Sequence, residues 1–308
     1  MSLPHFLEEQ LQTFLSLSQK SKLKKGSDAL SLQYRQEKGT KGVDPASYLA
    51  VRLPATYAAV TKVLEQVKKQ MPAFLPRTLL DLGSGPGTAI FAAEQLYSFD
   101  RIIAYEKEEA LITVGKTLGS NLVIDWQKKD LEQIDTLPAA DLILLSYAVG
   151  ELSERGREKL IKAAAMAATV LVVVEPGTPA GFERIRKIRA DLIDQGKQMI
   201  APCPHALACP MVSPDWCHFS VRLPRSSLHR QLKEGTLGYE DEKFSYVAVA
   251  NSPISLPEAR ILRHPQKRKG HIHFTLCTKD NGITQTTLSK RTPEAYKIAK
   301  ELEWGDTL

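Results

Sequence analysis

The sequence lacks the long apolar runs of a membrane protein. No run reaches the roughly 18 residues that a membrane span needs, and the longest, near "ATVLVVVE", suits a buried strand. The N-terminal "MSLPHFLEEQLQTFLSLSQKSKLKK" also has no charged region followed by an apolar one, which argues against a secretory signal. These absences predict a cytoplasmic protein, in which disulfides are rare and grouped cysteines favour metal or redox sites.

Cysteine is scarce and unevenly placed. The 308 residues include four cysteines, none of them among the first 202, and three fall in "APCPHALACPMVSPDWCHF". The CxxC pairs of redox enzymes and zinc ribbons are absent, as is the three-cysteine motif of radical-SAM enzymes. Four thiolates form a closed set suited to zinc or to an iron–sulfur cluster, with His205 and His218 as substitute ligands. The predicted metal ligands are Cys203, Cys209, Cys217 and Cys277.

The alternative is that these four residues are ordinary buried thiols. We favour a metal site, because three of the cysteines lie in a proline- and histidine-containing segment without a regular apolar pattern. Such a segment needs a cross-link, such as a bound metal, to become ordered. The spacing alone does not distinguish zinc from an iron–sulfur cluster.

The composition is that of a soluble globular protein, with 43% hydrophobic and 25% charged residues. The net charge of +6 permits binding to nucleic acid or another polyanion but is weak evidence for it. Residues 1–72 are predicted to be helical, and Pro54 marks a helix start. The basic stretch "QKSKLKKGSDALSLQYRQEKGTKG" within this region is either a solvated loop or an arm that contacts a polyanion.

From residue 78 onwards, short apolar strands alternate with helical segments, beginning with "TLLDLG", "AIFAAEQLYSF" and "RIIAYEK". This alternation predicts right-handed βαβ units and a parallel sheet, which the later strands "KFSYVAVA" and "GHIHFTLCT" would close. We therefore expect an α/β fold over residues 73–283, the Rossmann-like seven-stranded sheet of class I S-adenosyl-L-methionine (SAM)-dependent methyltransferases. A cysteine-rich insertion at 200–242 would lie between the fifth-strand helix and the sixth strand, and 284–308 would form a C-terminal tail.

The motif "LLDLGSGPGT" places a glycine loop between the first strand and its helix. Glycine allows a tight turn and close approach of a ligand, and the helix N-terminus supplies oriented N–H groups. The glycine spacing G-x-G-x-G differs from the G-x-G-x-x-G of dinucleotide sites and favours a SAM site. The alternatives are a site for another nucleotide and a glycine turn that is needed only for packing. The carboxylate of Asp81 suits the cationic methionine end of SAM, that of Glu106 suits the ribose hydroxyls, and that of Asp130 suits the adenine amino group. The predicted cofactor-binding residues are Asp81, Gly83, Ser84, Gly85, Gly87, Glu106, Asp130 and Ser146.

The segment of the fourth strand, "DLILLSYAVGEL", lacks the Asn/Asp-Pro-Pro-aromatic motif of amino-methylating enzymes that act on bases. It also lacks the cysteine that carbon-5 methylation of a pyrimidine needs. Tyr147 could stack on a base and Glu151 could accept a proton. Ordinary packing and a helix-start carboxylate explain the two residues equally well. The catalytic residues therefore stay unassigned, with Tyr147 and Glu151 as candidates.

Two basic runs, "VRLPRSSLHRQLK" and "ARILRHPQKRKGH", follow the cysteine segment. Beside a metal module they favour contact with RNA, and Trp216, Phe219 and Tyr239 could stack on unpaired bases. The alternatives are a solvated surface and pairing with the carboxylates of "YEDEKF". The RNA-binding candidates are Arg222, Arg225, Arg230, Lys233, Lys267, Arg268 and Lys269.

Several motifs in one order resemble those of a known family: "YLAVRLPATYAAV", "LLDLGSGPGT", "VVVEPGTPAGF", "PCPH…CP…DWCHF", "YEDEKFSYVAV" and "LCTKDNG". From about residue 45 to 306 the chain resembles the methyltransferase-like small-ribosomal-subunit assembly family, with bacterial and mitochondrial members. The resemblance implies a class I methyltransferase fold, a link to small-subunit rRNA and ribosome assembly, and a 4Fe–4S cluster on the four cysteines. It does not imply methyl transfer, in agreement with the missing catalytic motif.

The sequence thus predicts a SAM-binding, 4Fe–4S-containing, methyltransferase-like factor that acts on the small ribosomal subunit and its rRNA during ribosome assembly or translation. Two alternatives are a small-molecule methyltransferase with a zinc-stapled lid and a non-catalytic RNA-binding assembly factor. The expected partners are the small subunit and its rRNA, with no membrane and no DNA. The expected state is a monomer.

Overall fold

The computed structural model describes residues 3–16, 23, 25–26, 44–224, 238–280 and 282–308. Most of the basic N-terminal stretch lies outside these residues, as do Arg225, Arg230 and Lys233 of the predicted RNA-binding set. Within the described ranges, no helix is long and apolar enough to cross a lipid bilayer.

Helices α1 (His5–Ser16), α2 (Pro45–Val51) and α3 (Leu53–Gln70) precede the first strand. The buried residues of α1 are leucines that recur every fourth position, as an amphipathic helix requires. The side chain of Asp44 caps α2 by accepting the N–H of Ser47. Pro54 lies in the first turn of α3, where its missing N–H costs nothing, so the predicted helix start is confirmed.

The next five strands form the parallel half of the main sheet. They are β1 (Thr78–Leu82), β2 (Arg101–Glu106), β3 (Ile124–Lys128), β4 (Ala140–Ser146) and β5 (Ala168–Pro176). The intervening helices are α4 (Thr88–Glu94), α5 (Glu109–Leu118) and α6 (Glu154–Ala167). Strands β1, β4 and β5 read as nearly continuous apolar runs because side chains on both of their faces are buried.

Helix α7 (Pro179–Asp194) leads into the antiparallel half of this sheet: β6 (Gln198–Ala201), β7 (Phe219–Pro224) and β8 (Tyr239–Ala250). The strand order is β3-β2-β1-β4-β5-β8-β6, and β7 pairs with the first half of β8. Strand β8 lies antiparallel between β5 and β6. This order, with one antiparallel strand inserted beside the last parallel one, confirms the predicted class I methyltransferase fold.

The position of the cysteine segment differs from the prediction. The segment was expected before the sixth strand of the sheet, but it begins after β6 and ends where β7 starts. Strand β6, "QMIA", has only four residues, which are too few for its hydrophobic periodicity to be recognised in the sequence. It forms because β8 offers it a hydrogen-bonding edge.

A second sheet follows, with strands β9 (Ala259–Ile261), β10 (Gln266–Arg268), β11 (His271–Thr278) and β12 (Ile283–Ser289), and with helix α8 (Pro293–Ala299) packed against it. Its order is β10-β11-β12, with β9 also pairing with β11. The expectation that "GHIHFTLCT" closes the main sheet was therefore wrong. In β11 apolar and polar residues mostly alternate, which suits a strand with one buried face, whereas the inserted strand β8 needs both faces apolar.

Asp141 joins the starts of the two central strands β1 and β4. Its carboxylate accepts the N–H groups of Arg77 (2.8 Å) and Thr78 (2.9 Å) and the hydroxyl of Thr78 (3.0 Å). The N–H of Asp141 donates back to the Thr78 hydroxyl at 2.8 Å. Burial alone would raise the pKa of Asp141, but these hydrogen bonds hold it below the usual value.

We expect Asp141→Asn to lower the free energy of unfolding by about 1 kcal/mol at neutral pH, a value discounted for the partial exposure of the carboxylate. Because the folded-state pKa is depressed, this contribution is present above the unfolded-state pKa and is lost as the pH falls through the folded-state pKa. Urea unfolding at neutral pH and at about pH 3 measures it.

Wild type and Asp141→Asn should approach equal stability at the lower pH. The matched control is Asp100→Asn, which breaks an exposed pair with Arg77 (2.6 Å) and should change stability less. An effect of Asp141→Asn that is the same at both pH values would contradict the assignment.

Candidate functional site

The glycine loop leaves the C-terminal end of β1 in a backbone conformation that favours glycine. Gly83, Gly85 and Gly87 have φ values of 73°, 55° and 83°. A Cβ atom on Gly83 would lie 2.7 Å from that of Ala148, so no larger residue fits there without a shift. The N–H groups of Gly83 and Ser84 donate to the carbonyl of Tyr105, at 2.9 and 3.0 Å. The loop is thereby tied to β2.

Glu106, at the end of β2, is a buried carboxylate held by backbone donors. One oxygen accepts the N–H of Gly85 at 2.8 Å, and the other accepts those of Lys107 (2.8 Å) and Glu108 (2.9 Å). Burial raises the pKa of Glu106, and these three hydrogen bonds oppose the rise. The carboxylate therefore has a fixed orientation beside the loop.

Asp81 lies fully buried under the same loop. Neither of its carboxylate oxygens has a hydrogen-bond partner in the described part of the chain. Burial, and then the charge of Glu106, raises the pKa of Asp81 to about 8. A buried carboxylate without a donor is costly. This geometry suits a bound group, or an ordered water, that donates hydrogen bonds to Asp81.

These residues border one cleft that is open to solvent. Of the predicted cofactor residues, five line this glycine-loop cleft: Gly83, Gly85, Glu106, Asp130 and Ser146. The other three lie beside or beneath it: Asp81, Ser84 and Gly87. Tyr48 of α2 and Lys129 also line the cleft. The sequence analysis missed both, because Tyr48 comes from a helix that precedes the sheet and Lys129 is not one of the carboxylates that were sought at strand ends.

Tyr147 and Glu151 border both the glycine-loop cleft and a wider neighbouring cleft of about 1500 Å³. Tyr147 has a left-handed φ of 57°, unusual for a residue with a side chain. Its hydroxyl donates to Glu242 at 3.0 Å, and Glu151 pairs with Lys107 at 3.4 Å. The structure thus brings both catalytic candidates to the boundary between the clefts, but their polar groups already have partners.

Arg52 and Glu242 close one side of the wider cleft. The guanidinium of Arg52 forms two hydrogen bonds with the Glu242 carboxylate, at 2.9 and 3.3 Å. Its charge also lies 5.2 Å from the centre of the Tyr147 ring. Across the cleft, burial raises the pKa of Glu175 to about 7, although Arg184 donates to it at 2.7 Å. The carboxylates of this cleft therefore mainly hold the protein's own cations.

The four cysteines line a second cavity, which is partly open to solvent. Three come from the segment between β6 and β7, and Cys277 comes from β11. Burial raises the pKa of Cys217 well above its usual value and that of Cys277 to about 12, and neighbouring thiolates add to both shifts. We call this space the four-cysteine cavity.

Arg189 of α7 fixes one wall of the four-cysteine cavity. Its Nε donates to the sulfur of Cys203 at 3.2 Å, and its Nη2 donates to the carbonyls of His205 (2.9 Å) and Leu207 (2.8 Å). The sequence analysis missed Arg189, because in the chain it is one of several basic residues on an amphipathic helix. A buried cation that donates to a thiol stabilises the thiolate, the form that binds metals.

The two histidines near the cysteines have different surroundings. His205 lines the four-cysteine cavity, and its Nε2 lies 3.5 Å from the Cys277 sulfur. His218 instead lies between the rings of Trp216 and Trp304, and burial lowers its pKa to about 4. No group of three or more His, Cys, Asp or Glu side chains in the described ranges converges tightly enough to hold a metal ion.

The basic residues predicted to contact RNA divide into paired and unpaired sets. Arg222 is held by two hydrogen bonds to Asp241, at 2.7 and 2.9 Å, and Lys267 pairs with Glu303 at 2.6 Å. Arg268 and Lys269 are exposed. Of the aromatic residues expected to stack on bases, Phe219 is buried in the core and Trp216 donates to the carbonyl of Gly177. Arg225, Arg230 and Lys233 lie outside the described residues.

Comparison with known proteins gives distant structural likenesses. A putative RNA methyltransferase from Pyrococcus horikoshii has a TM-score of 0.43 at 12% identity, with 65% of this chain and 86% of that one covered. The N-methyltransferase NodS from Bradyrhizobium japonicum, bound to S-adenosyl-L-homocysteine, has a TM-score of 0.42 at 12% identity, with 71% and 97% covered.

Sequence relatives are mitochondrial proteins. The human "Ribosome assembly protein METTL17, mitochondrial" is 28% identical over 288 residues, which cover 85% of this chain and 61% of that protein. The "Rsm22-cox11 tandem protein 2, mitochondrial" of Schizosaccharomyces pombe is 23% identical, with 96% and 47% covered. The chain thus corresponds to roughly half to three-fifths of these relatives. The sequence model "Mitochondrial small ribosomal subunit Rsm22" matches residues 43–308, so the chain belongs to the Rsm22 family.

Proposed function

We propose that this protein binds SAM in the glycine-loop cleft, holds a 4Fe–4S cluster in the four-cysteine cavity, and acts on the small ribosomal subunit and its rRNA during assembly or translation. The observation that carries the proposal is that a chain of the Rsm22 family gathers cysteines from two distant segments around one cavity. The relatives' names, which include a ribosome assembly protein, support the ribosomal part. A cytoplasmic location and a monomeric state stay predictions, since the named relatives are mitochondrial.

The charges of the glycine-loop cleft favour SAM over a dinucleotide. Asp81 and Glu106 are both buried acids beside the loop, and a pyrophosphate there would face two carboxylates. The amino group and sulfonium of SAM are cationic and would supply the donors and positive charge that Asp81 lacks. The role that we propose for Glu106, which lines the cleft, is to accept ribose hydroxyls. When bound, SAM supplies an electrophilic methyl group.

A cluster rather than zinc is the group that we propose for the four-cysteine cavity. Zinc–sulfur bonds of about 2.3 Å place the four sulfurs roughly 3.8 Å apart, converging on one point. The thiols instead line a cavity, and the described residues hold no single-ion arrangement. In a 4Fe–4S cluster each thiolate binds a different iron, so the sulfurs lie further apart. Arg189 would donate to one thiolate and offset part of the negative charge.

Methyl transfer is the less supported part of the proposal. The Tyr147 hydroxyl and the Glu151 carboxylate are engaged by Glu242 and Lys107, so neither is a ready base for an acceptor. The bound cofactor could therefore serve as a structural element of a non-catalytic assembly factor. A small-molecule methyltransferase with a zinc-stapled lid is the third alternative.

The cofactor assignment predicts different outcomes for two glycines in the left-handed region. Gly85 (φ 55°) lines the cleft, whereas Gly196 (φ 81°) follows α7 with nothing within 4 Å of an added Cβ. We expect Gly85→Ala and Gly196→Ala each to cost about 1 kcal/mol of stability through backbone strain. S-adenosyl-L-homocysteine should raise the Tm of wild type and of Gly196→Ala, but not that of Gly85→Ala. Equal shifts in all three proteins would contradict binding at the loop.

The cluster assignment predicts a brown protein after anaerobic purification, with broad absorbance near about 400 nm from charge transfer. Cys217→Ser should lose most of the iron and this absorbance. Met211→Leu is the matched control, because Met211 lines the same cavity without a thiol and should retain both. A colourless wild type with one bound zinc would overturn the cluster assignment.

The ribosomal assignment predicts that the tagged full-length protein cosediments with small-subunit particles in cell lysates, and that its loss reduces mature small subunits. Wild type should restore them. If only the fold and RNA contact matter, Gly85→Ala should restore them as well, and if bound SAM is required it should not. Sedimentation of wild type away from small-subunit particles would contradict the proposal.

A further inference from the structure

On one face of the second sheet, three neighbouring rows of paired residues carry polar side chains. The register places Arg268, His271 and Ser289 side by side, and Gln266, His273 and Thr287 form the next row. Thr275 and Gln285 form a third row. Residues directly opposite one another in a sheet share a face. In these three rows the described residues include no carboxylate and no aliphatic side chain.

Further cations lie in the turns at the end of the second sheet that contains Arg268. The turn after β10 contributes Lys269, and the turn after β12 contributes Lys290 and Arg291. The N–H of Lys290 donates to the carbonyl of Gly270 at 3.0 Å, and that of Arg291 donates to the Ser289 hydroxyl at 3.3 Å. The first contact joins the two turns, and the second lies within the turn after β12. All four cationic side chains are exposed.

In the part of the chain that the structure describes, these four residues differ from neighbouring exposed cations in having no counter-charge. Lys267 pairs with Glu303 at 2.6 Å, and Lys279 pairs with Glu258 at 3.1 Å. Among the described residues, none of Arg268, Lys269, Lys290 and Arg291 has a carboxylate within ion-pair distance. Like charges gathered in this way repel one another, and a bound polyanion removes that repulsion.

We propose that this cationic face, made of Arg268, Lys269, Lys290 and Arg291 with the three polar rows, binds the phosphate backbone of double-stranded RNA. The inference deepens the proposed action on rRNA and rests on it. Arginine and lysine contact phosphates, and the hydroxyl, amide and imidazole groups of the rows suit ribose 2′-hydroxyls.

The side chains on the face favour a duplex over other polyanions. Proteins that bind single strands stack bases on aromatic rings, and Phe, Tyr and Trp are absent from the three rows. The His271 and His273 rings contact each other edge to face, with centroids 4.8 Å apart. A lipid surface would need exposed apolar side chains to insert. The rows offer none, so A-form RNA read through its backbone fits best.

The cationic face is connected to the four-cysteine cavity through β11. Cys277 follows Thr275 by two residues, so it lies on the same side of the strand. At that end Cys277 and its neighbour Arg260 are buried, whereas Ile283, which pairs with Cys277 on β12, is exposed. The four-cysteine cavity therefore holds one end of β11, and the three polar rows of the proposed RNA-binding face lie towards its other end.

The test compares two variants of the full chain that lose the same charge. The first is Arg268→Gln, Lys269→Gln, Lys290→Gln and Arg291→Gln together. The matched control is Lys159→Gln, Lys279→Gln, Lys187→Gln and Arg77→Gln together, which removes exposed cations that have carboxylate partners. The probe is a fluorescein-labelled RNA duplex of about 20 base pairs. Anisotropy gives its affinity between about 50 and about 200 mM KCl.

We expect the first variant to bind the duplex at least about tenfold more weakly than wild type. The slope of log affinity against log salt should fall by about 3 to 4, because each phosphate contact contributes about 0.9. The control should keep the wild-type slope. All three proteins should have similar Tm values, since the substituted side chains are exposed.

Equal weakening in both variants would overturn the proposal, since bulk charge would then explain binding. Tighter binding of wild type to a single strand of the same length, or to phosphatidylserine vesicles, would overturn it as well. Cosedimentation with the small subunit separates this inference from the proposed function. If wild type and the first variant cosediment and bind the duplex equally, only the cationic face is wrong. If wild type does not cosediment, the ribosomal assignment itself fails.

Discussion

Arg260 is the buried contact on which the arrangement of the two sheets depends. This side chain has no exposed surface, and it lies on β9 directly opposite Cys277 of β11. Its guanidinium donates to the carbonyl of Pro202 (2.7 Å), to the side-chain oxygen of Gln66 (2.5 Å) and to the carbonyl of Gly305 (2.7 Å). One cation thus ties the second sheet to α3, to the start of the cysteine segment and to the C-terminal residues.

The four-cysteine cavity and the cationic face both follow from this attachment. Once Arg260 holds the second sheet against the main one, Cys277 lies beside a segment some sixty residues earlier in the chain. The opposite end of β11 is left at the surface with its polar rows. A cluster bound by cysteines from both units would strengthen the same junction. The proposed metal site and the proposed RNA-binding face would therefore be coupled through the position of one strand.

The glycine-loop cleft depends on a different constraint, the left-handed backbone after β1. Three glycines allow that path, and the path brings backbone N–H groups to Tyr105 and Glu106 of β2. Local sequence was enough to predict this part, because strand, turn and helix follow one another within about a dozen residues. The wall supplied by Tyr48 was not predictable, because it comes from α2 and requires the N-terminal helices to pack over the cleft.

The sequence by itself determined the parallel core, the glycine loop and the set of four cysteines, since each depends on periodicity or residue type within a short stretch. Only the tertiary structure decided that "GHIHFTLCT" pairs in a second sheet, because the residue pattern of a strand does not specify which strand it pairs with. It also decided which basic residues are free. Lys267 and Arg268 are adjacent in the chain, but the pleat turns them to opposite faces, where Glu303 pairs with only one of them.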